Sequence, residues 1–261
     1  MADALVTLGV EDGLATITLT RPEAGNAMSW DFIAAFTDTT QKIADDASVR
    51  AVLIEAQGKN FCVGGDIRAF ATEADPSGFI RALATRLHEG VLRLANLPAP
   101  VVIAVQGAAA GAGLSLVAGG DVVIGGRSSS YSMAYTGIGL TADGGATWLL
   151  PRLIGLRRTQ ELAYLGRRLN AEEAERYGLL TRVVEDDALV EEARTVARKL
   201  ASGPTHAYGQ VKRLLAEADL APLGRQLESE ADAIGVAMAT GDAQGAIQSF
   251  LARQAPSFTG R

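Results

Sequence analysis

Residues 101–115, VVIAVQGAAAGAGLS, join an apolar run to a glycine- and alanine-rich segment and the start of a helix-compatible stretch. The run 101–105 predicts a buried strand. Small residues at 107–113 let backbone N–H groups approach a ligand, and the following helix adds partial positive charge at its first turn. The segment lacks the P-loop and G-x-G-x-x-G spacings, so it does not predict nucleotide binding. The backbone N–H groups of this segment are suited to stabilise a developing oxyanion.

A second segment, residues 61–67, reads FCVGGDI and follows the same logic. Gly64 and Gly65 stand after a predicted strand and before a predicted helix, which leaves a backbone N–H available. Two such donors, one from each segment, would form an oxyanion hole. Each glycine cluster taken alone is more simply interpreted as an ordinary tight turn, and only their occurrence together with the aspartate of a third segment favours the functional interpretation.

A third segment, residues 139–148, reads GLTADGGATW and places Asp143 at the start of a predicted helix. An aspartate there could move a proton, with Leu140 and Trp148 as apolar neighbours of its carboxylate. The alternative is that Asp143 is the N-cap of the helix and has no chemical role.

The order of predicted elements indicates an α/β fold, in which ligands bind near the carboxyl ends of strands. Strands 4–10 and 14–20 flank an Asp-Gly turn and predict a β-hairpin. Apolar patterns predict further strands at 49–56, 101–105 and 121–124, and helices at 30–45 and 78–96. From about residue 155 onward the patterns predict almost only helices, at 156–165, 171–177, 187–201, 204–217, 222–239 and 242–253, and hence an all-α module.

Composition excludes several classes of function. A formal net charge of −6 gives no basic surface for nucleic acid, and one cysteine with two histidines leaves little for a metal centre. There is no apolar run of the ~20 residues that a spanning helix needs, and the N-terminus lacks a basic signal-peptide start. We expect a cytoplasmic protein without a membrane or nucleic-acid partner.

These three segments, together with RPEAGNAM at residues 21–28, resemble the crotonase superfamily of enoyl-CoA hydratases and isomerases over nearly the whole chain. The run 139–152 is most similar to its isomerase branch, which includes enoyl-CoA isomerases and 1,2-epoxyphenylacetyl-CoA isomerases. The closing residues 250–261 support the same branch. The resemblance implies a role in fatty acid metabolism or phenylacetate catabolism.

The resemblance also implies a spiral of β-β-α units with two roughly perpendicular sheets in residues 1–200. Residues 201–261 would form a helical region that assembles a homotrimer or hexamer. The ligand would be an acyl-CoA thioester, whose oxygen is held by the N–H groups of Gly65 and Ala112. Residues expected along the CoA moiety are Ala24, Gly25, Asn26, Ala27, Asp66 and Ile67. Apart from CoA, which is part of the substrate, no cofactor and no metal is implied.

The departures from the family pattern bear on the reaction. Hydratases of this family add water with two glutamates, and Ser115 and Tyr135 stand at those positions here. Neither is a general base at neutral pH. Asp143 matches the single acid/base of the isomerase branch, where one carboxylate removes a proton and returns it to another carbon.

Three alternatives remain open at this stage. Weak hydration of 2-enoyl-CoA is one, and an acyl-CoA-binding protein without catalysis is another. The third is a reaction like that of 4-chlorobenzoyl-CoA dehalogenase, because His88 and Asp143 occupy positions similar to its base and nucleophile. A histidine on a helix face with Leu87 and Val91 is more often a packed structural residue.

Overall fold

The computed structural model describes residues 4–70, 74–218 and 223–260, and the described chain opens with the predicted hairpin. Strand β1, Val6–Glu11, pairs antiparallel with β2, Leu14–Leu19. Asp12 and Gly13 form the turn with φ angles of 48° and 78°, a left-handed backbone that aspartate and glycine tolerate. The prediction from the Asp-Gly pair is confirmed.

The main sheet contains this hairpin and four further strands. These are Ala51–Ala56 (β3), Val101–Val105 (β4), Val122–Gly126 (β6) and Arg182–Val184 (β9). The order is β1-β2-β3-β4-β6-β9, and every neighbouring pair after the hairpin is parallel. Strand β4 is buried throughout and β3 over its first four residues, as expected for continuous apolar runs in a covered parallel sheet.

Three shorter strands form a second sheet. They are Ala108–Ala110 (β5), Ser130–Ser132 (β7) and Arg168–Asn170 (β8), in the order β5-β7-β8. The prediction of an all-α module beyond about residue 155 is wrong, since β8 and β9 both lie there. Strands of three residues are too short to show an alternating pattern. These short strands form because their backbones pair with segments that are distant in the sequence.

Helices cover both sheets and dominate the C-terminal part of the chain. Their bounds are Trp30–Asp45 (α1), Ile67–Phe70 (α2), Pro76–Asn96 (α3), Ala112–Ala118 (α4), Ala146–Ile154 (α5), Leu156–Leu165 (α6), Ala171–Tyr177 (α7), Leu189–Ala201 (α8), Thr205–Ala218 (α9), Leu223–Met238 (α10) and Gly241–Leu251 (α11). Ser29 caps α1 by accepting the N–H of Phe32 at 3.3 Å. Residue 222, predicted to begin a helix, lies outside the described residues.

A repeated order of strand, strand and helix brings distant segments side by side. Strand β4 leads to β5 and α4, and β6 leads to β7 and α5. Cys62, which follows β3, pairs in parallel with Ala109 of β5, and Ala109 pairs in parallel with Tyr131 of β7. Because the three segments run in the same direction and in register, the residues that follow each of them reach the same edge of the small sheet.

Helix α9 joins the C-terminal helices to the sheets. Lys212 of α9 donates to the Asp121 carboxylate at 2.8 Å and to the Leu94 carbonyl at 2.9 Å, and α9 packs against α10. Helix α10 leaves Ile234 and Leu227 exposed. None of the helices in the described ranges is both long enough and apolar enough to cross a membrane.

Candidate active site

A cavity of about 300 Å³ lies at the edge where the repeated segments meet. Most of its walls are apolar, and its polar side chains are Arg81, Tyr135, Thr141 and Asp143. The lining residues are Met28, Ile33, Val63, Gly64, Gly65, Ile67, Ile80, Arg81, Leu83, Ala84, Leu87, Gly111, Ala112, Ala134, Tyr135, Ile138, Leu140, Thr141 and Asp143. Such a volume suits a small, largely apolar group.

Three small residues that line the cavity occupy equivalent positions relative to the paired strand segments. Gly65, Ala112 and Ala134 each follow by three residues the paired residues Cys62, Ala109 and Tyr131. Strand register therefore brings Gly65 and Ala112 to one wall, although 47 positions separate them in the chain.

The backbone N–H groups of Gly65 and Ala112 have no hydrogen-bond acceptor in the part of the chain that the structure describes. Their neighbours are paired, since Asp66 donates to the Met28 carbonyl at 3.0 Å and Gly111 to the Ser132 carbonyl at 3.0 Å. No acceptor within the described ranges receives the N–H of Gly65 or of Ala112. Ala112 is also the first residue of α4, where N–H groups carry partial positive charge. The two donors are available to an oxyanion.

Asp143 lines the cavity but is not a helix cap. Helix α5 begins at Ala146 with Gly145 as its N-cap, so the N-cap alternative is wrong. Gly144 and Gly145 have φ angles of 60° and 86°, a left-handed path that glycine adopts readily and that separates Asp143 from the helix. The carboxylate is thus left for other contacts.

A short hydrogen-bond chain holds this carboxylate. The hydroxyl of Tyr135 donates to Oδ1 of Asp143 at 2.6 Å and lies 2.8 Å from Oγ of Ser115, which is fully buried. Burial, and then the negative charge of Asp143, raise the pKa of the Tyr135 phenol above its usual value. Tyr135 therefore remains a neutral donor. The two residues predicted to stand in place of glutamates therefore lie in one hydrogen-bond chain with Asp143.

His88 lies behind the cavity and does not line it. Its Nε2 atom accepts the backbone N–H of Gly144 at 3.1 Å, which requires a ring whose proton is on Nδ1. Trp148, expected to cover Asp143, is 43% exposed, lies under the Arg152 guanidinium at 3.8 Å and is not among the residues that line the cavity. Leu140 does line the cavity.

The segment 24–27 forms a fixed loop beside the site. Asn26 is fully buried, accepts the Arg21 N–H at 2.9 Å and donates to two backbone carbonyls at 2.9 and 3.0 Å. Its side chain shapes the loop and has no free donor for a ligand.

Arg21 also binds the Asp66 carboxylate at 2.8 Å, an ion pair that the sequence did not reveal. Ile67 is 54% exposed and lines the cavity mouth.

Comparison with known proteins places the chain in a family. Residues 9–261 match the family model described as enoyl-CoA hydratase/isomerase. The chain therefore belongs to the enoyl-CoA hydratase/isomerase family, and its two-sheet α/β fold is that of the crotonase superfamily.

Individual relatives carry both activity names. The chain is 38% identical to the 1,2-epoxyphenylacetyl-CoA isomerase of Escherichia coli K12, over 97% of each chain. It is 36% identical to a Rhodobacter capsulatus protein named "Probable enoyl-CoA hydratase", over 97% of this chain and 96% of that one. A solved structure of an enoyl-CoA hydratase/isomerase-family protein from Mycobacterium abscessus superposes with a TM-score of 0.93 at 38% identity, covering 98% of this chain and 100% of that one. The family predicted from the sequence is confirmed.

Proposed function

We propose that this chain is an isomerase of acyl-CoA thioesters. In this proposal Asp143 moves one proton, and the N–H groups of Gly65 and Ala112 hold the thioester oxygen. The observation that carries it is that Asp143 is the one carboxylate among the described residues that line the cavity. One carboxylate is enough for a reaction that removes a proton and returns it elsewhere on the same molecule.

For a 3-enoyl thioester the steps balance without any cofactor beyond the CoA part of the substrate. Asp143 takes a proton from C2, and the C–H electron pair forms a C1–C2 double bond as the carbonyl π pair moves to oxygen. The resulting dienolate is stabilised by the two N–H donors, each worth about 3–4 kcal/mol of barrier. When the proton returns to C4, the carbonyl reforms and the double bond lies between C2 and C3.

The neighbouring segments support CoA binding in this proposal. The loop of Ala24, Gly25, Asn26 and Ala27 would follow the CoA moiety through its backbone, with Asp66 and Ile67 beside it. The apolar walls formed by Met28, Leu83 and Leu87 favour a hydrocarbon or aromatic acyl group.

Hydration is the second candidate because several relatives bear a hydratase name. Adding water requires a base that activates the water molecule as well as an acid that protonates the other carbon. Tyr135 is held neutral and Ser115 is hydrogen-bonded to it, so neither is suited to assist Asp143. Formation of 3-hydroxybutyryl-CoA from crotonyl-CoA would favour this candidate.

Two further alternatives have less support. A dehalogenase-like role needs a free base at His88, whose Nε2 lone pair is occupied by the Gly144 N–H. A binding protein without catalysis would bind acyl-CoA esters tightly and convert none of them.

We also propose a homotrimer or a pair of trimers assembled through residues 201–261. Helix α10 exposes Leu227, Ile234 and Met238, which need a partner surface. Light scattering on size-exclusion fractions tests this assembly, and a monomer would contradict it.

The decisive test of function is a turnover screen with product analysis. The panel contains 3-hexenoyl-CoA, crotonyl-CoA and the ring epoxide of phenylacetyl-CoA. We expect isomerised products, and an Asp143→Asn variant should lose on the order of 10²–10⁴-fold in rate. Asp45→Asn, which changes an exposed carboxylate that contacts Gln41, is the control. Full isomerisation by Asp143→Asn would overturn the proposal.

A further inference from the structure

We infer that Tyr135 is a positioning residue that fixes which oxygen of Asp143 carries the proton and keeps that proton facing the substrate. The inference rests on the proposed isomerase function. It goes further by assigning a role to a side chain that stands where water-adding relatives have a glutamate.

The direction of the hydrogen-bond chain follows from the number of protons. A carboxylate only accepts, so in the 2.6 Å contact Tyr135 must be the donor to Oδ1 of Asp143. Because Tyr135 has a single hydroxyl proton, the 2.8 Å contact with Ser115 is made with the serine proton, for which the Gly111 carbonyl at 3.3 Å is the more distant competing acceptor. The chain therefore runs from Ser115 through Tyr135 to Asp143.

This direction leaves the two carboxylate oxygens unequal. Oδ1 is occupied by a donor that burial keeps protonated, whereas Oδ2 has no hydrogen-bond partner within the described ranges. Oδ2 is thus the oxygen that accepts the substrate proton. Once Oδ2 is protonated, Oδ1 becomes the carbonyl oxygen of the acid and still accepts from Tyr135. The carboxyl group is held at both stages.

The backbone beside Tyr135 supports a positioning role. Ala134 has a φ angle of 38°, a left-handed conformation that a residue with a Cβ rarely adopts. The N–H of Tyr135 closes a three-residue turn onto the Met133 carbonyl. This turn directs the Tyr135 side chain into the cavity wall beside Asp143. Strained backbone of this kind persists where the surrounding structure fixes it and is common at functional sites.

A held carboxyl group should return the proton that it removed. If Tyr135 is replaced by phenylalanine, the acid can turn about its Cβ–Cγ bond and exchange its proton with water before the return step. Less of the proton removed from C2 should then reach C4, and more hydrogen from the solvent should be incorporated at C4. A side chain with a purely structural role would not change this partition.

The experiment uses 3-hexenoyl-CoA carrying two deuterium atoms at C2, in ordinary water, with the product analysed by mass spectrometry and NMR. Wild type should place part of the label at C4 of 2-hexenoyl-CoA. In Tyr135→Phe that labelled fraction should fall, and kcat should drop on the order of 10- to 100-fold with a smaller change in KM. Ser115→Ala should shift the fraction in the same direction by less.

The matched control is Tyr131→Phe, which removes another buried tyrosine hydroxyl paired with a serine, Ser129, at 2.8 Å outside the cavity. It should keep the wild-type labelled fraction. An unchanged fraction in Tyr135→Phe, or no label at C4 in wild type, would overturn the inference while leaving the isomerase proposal intact. Failure of the isomerase proposal shows separately, as wild type that does not convert 3-hexenoyl-CoA or Asp143→Asn that still does.

Discussion

The Nε2 atom of His88 accepts the backbone N–H of Gly144 at 3.1 Å, so helix α3 holds the residue that follows Asp143. The loop 139–145 has no regular hydrogen-bond ladder of its own, and this contact anchors it from behind the cavity. The position of the Asp143 carboxylate therefore depends on a side chain 55 positions earlier in the chain.

Replacing His88 should impair both stability and turnover. His88→Ala leaves the Gly144 N–H without its acceptor, which costs about 1–3 kcal/mol, and releases the loop that carries Asp143. His88→Gln should recover part of both because its amide oxygen can accept. Urea unfolding and steady-state kinetics measure these effects. Thr85→Ala, on the same helix, is the control, because the Thr85 hydroxyl donates to the Arg81 carbonyl within that helix. Unchanged kcat in His88→Ala would contradict the anchoring role.

Gly113 should not tolerate a side chain. A Cβ built at this position would lie 2.2 Å from the Cys62 carbonyl oxygen, so Gly113→Ala must push apart the two segments that carry Gly65 and Ala112. We expect a loss of about 1–3 kcal/mol in unfolding free energy together with a fall in kcat. Gly9→Ala, where no atom lies within 4 Å of the added Cβ, should stay within about 0.5 kcal/mol of wild type. Equal stability of the two variants would argue against the close approach.

Asn26→Asp should be more damaging than Asn26→Ala. Alanine removes the side-chain contacts, whereas aspartate places a charged oxygen against the Gln57 and Asn60 carbonyls, to which Asn26 donates at 3.0 and 2.9 Å. We expect losses of a few kcal/mol, larger for aspartate, and a raised KM for CoA esters. Thermal unfolding and kinetics provide the measurements. Asn96→Asp at the exposed end of α3 serves as control, and the opposite ranking of the two Asn26 variants would refute the assignment.

The Cys62 thiol should make stability fall at alkaline pH. Burial raises its pKa to about 12 despite the opposing hydrogen bond from the Gly64 N–H. An unfolded thiol ionises near pH ~8.5, so between these values the unfolded state has released a proton that the folded state retains. Stability should therefore fall by up to about 1.4 kcal/mol per pH unit in that window.

Cys62→Ala provides the comparison for this prediction. It lacks the thiol, so the stability difference between wild type and variant, measured by urea unfolding, should shift against wild type as pH rises from 8 to 10. Thiol reagents at pH 8 should label Cys62 in the native protein only as fast as the fold opens to expose this side chain. Rapid labelling of the folded chain would contradict the burial of this group.

Much of the fold was readable from local pattern. The long periodic segment that forms α3 was predicted close to its observed bounds. The hairpin was predicted from its Asp-Gly turn. The short strands β5, β7, β8 and β9 were missed because three residues show no period, and their pairing depends on remote partners. The N-cap reading of Asp143 was wrong because two glycines in left-handed conformation separate it from α5.

The sequence by itself determined the family, the run of small residues around Gly65 and Ala112, and the presence of one acidic residue before α5. Only the tertiary structure decided that Ser115, Tyr135 and Asp143 form one directed hydrogen-bond chain and that His88 holds the loop from behind. The physical reason is that local pattern fixes backbone conformation within a few residues. Contacts of 2.6–3.1 Å between residues 8, 20 and 56 positions apart depend on the register of parallel strands, which no local pattern specifies.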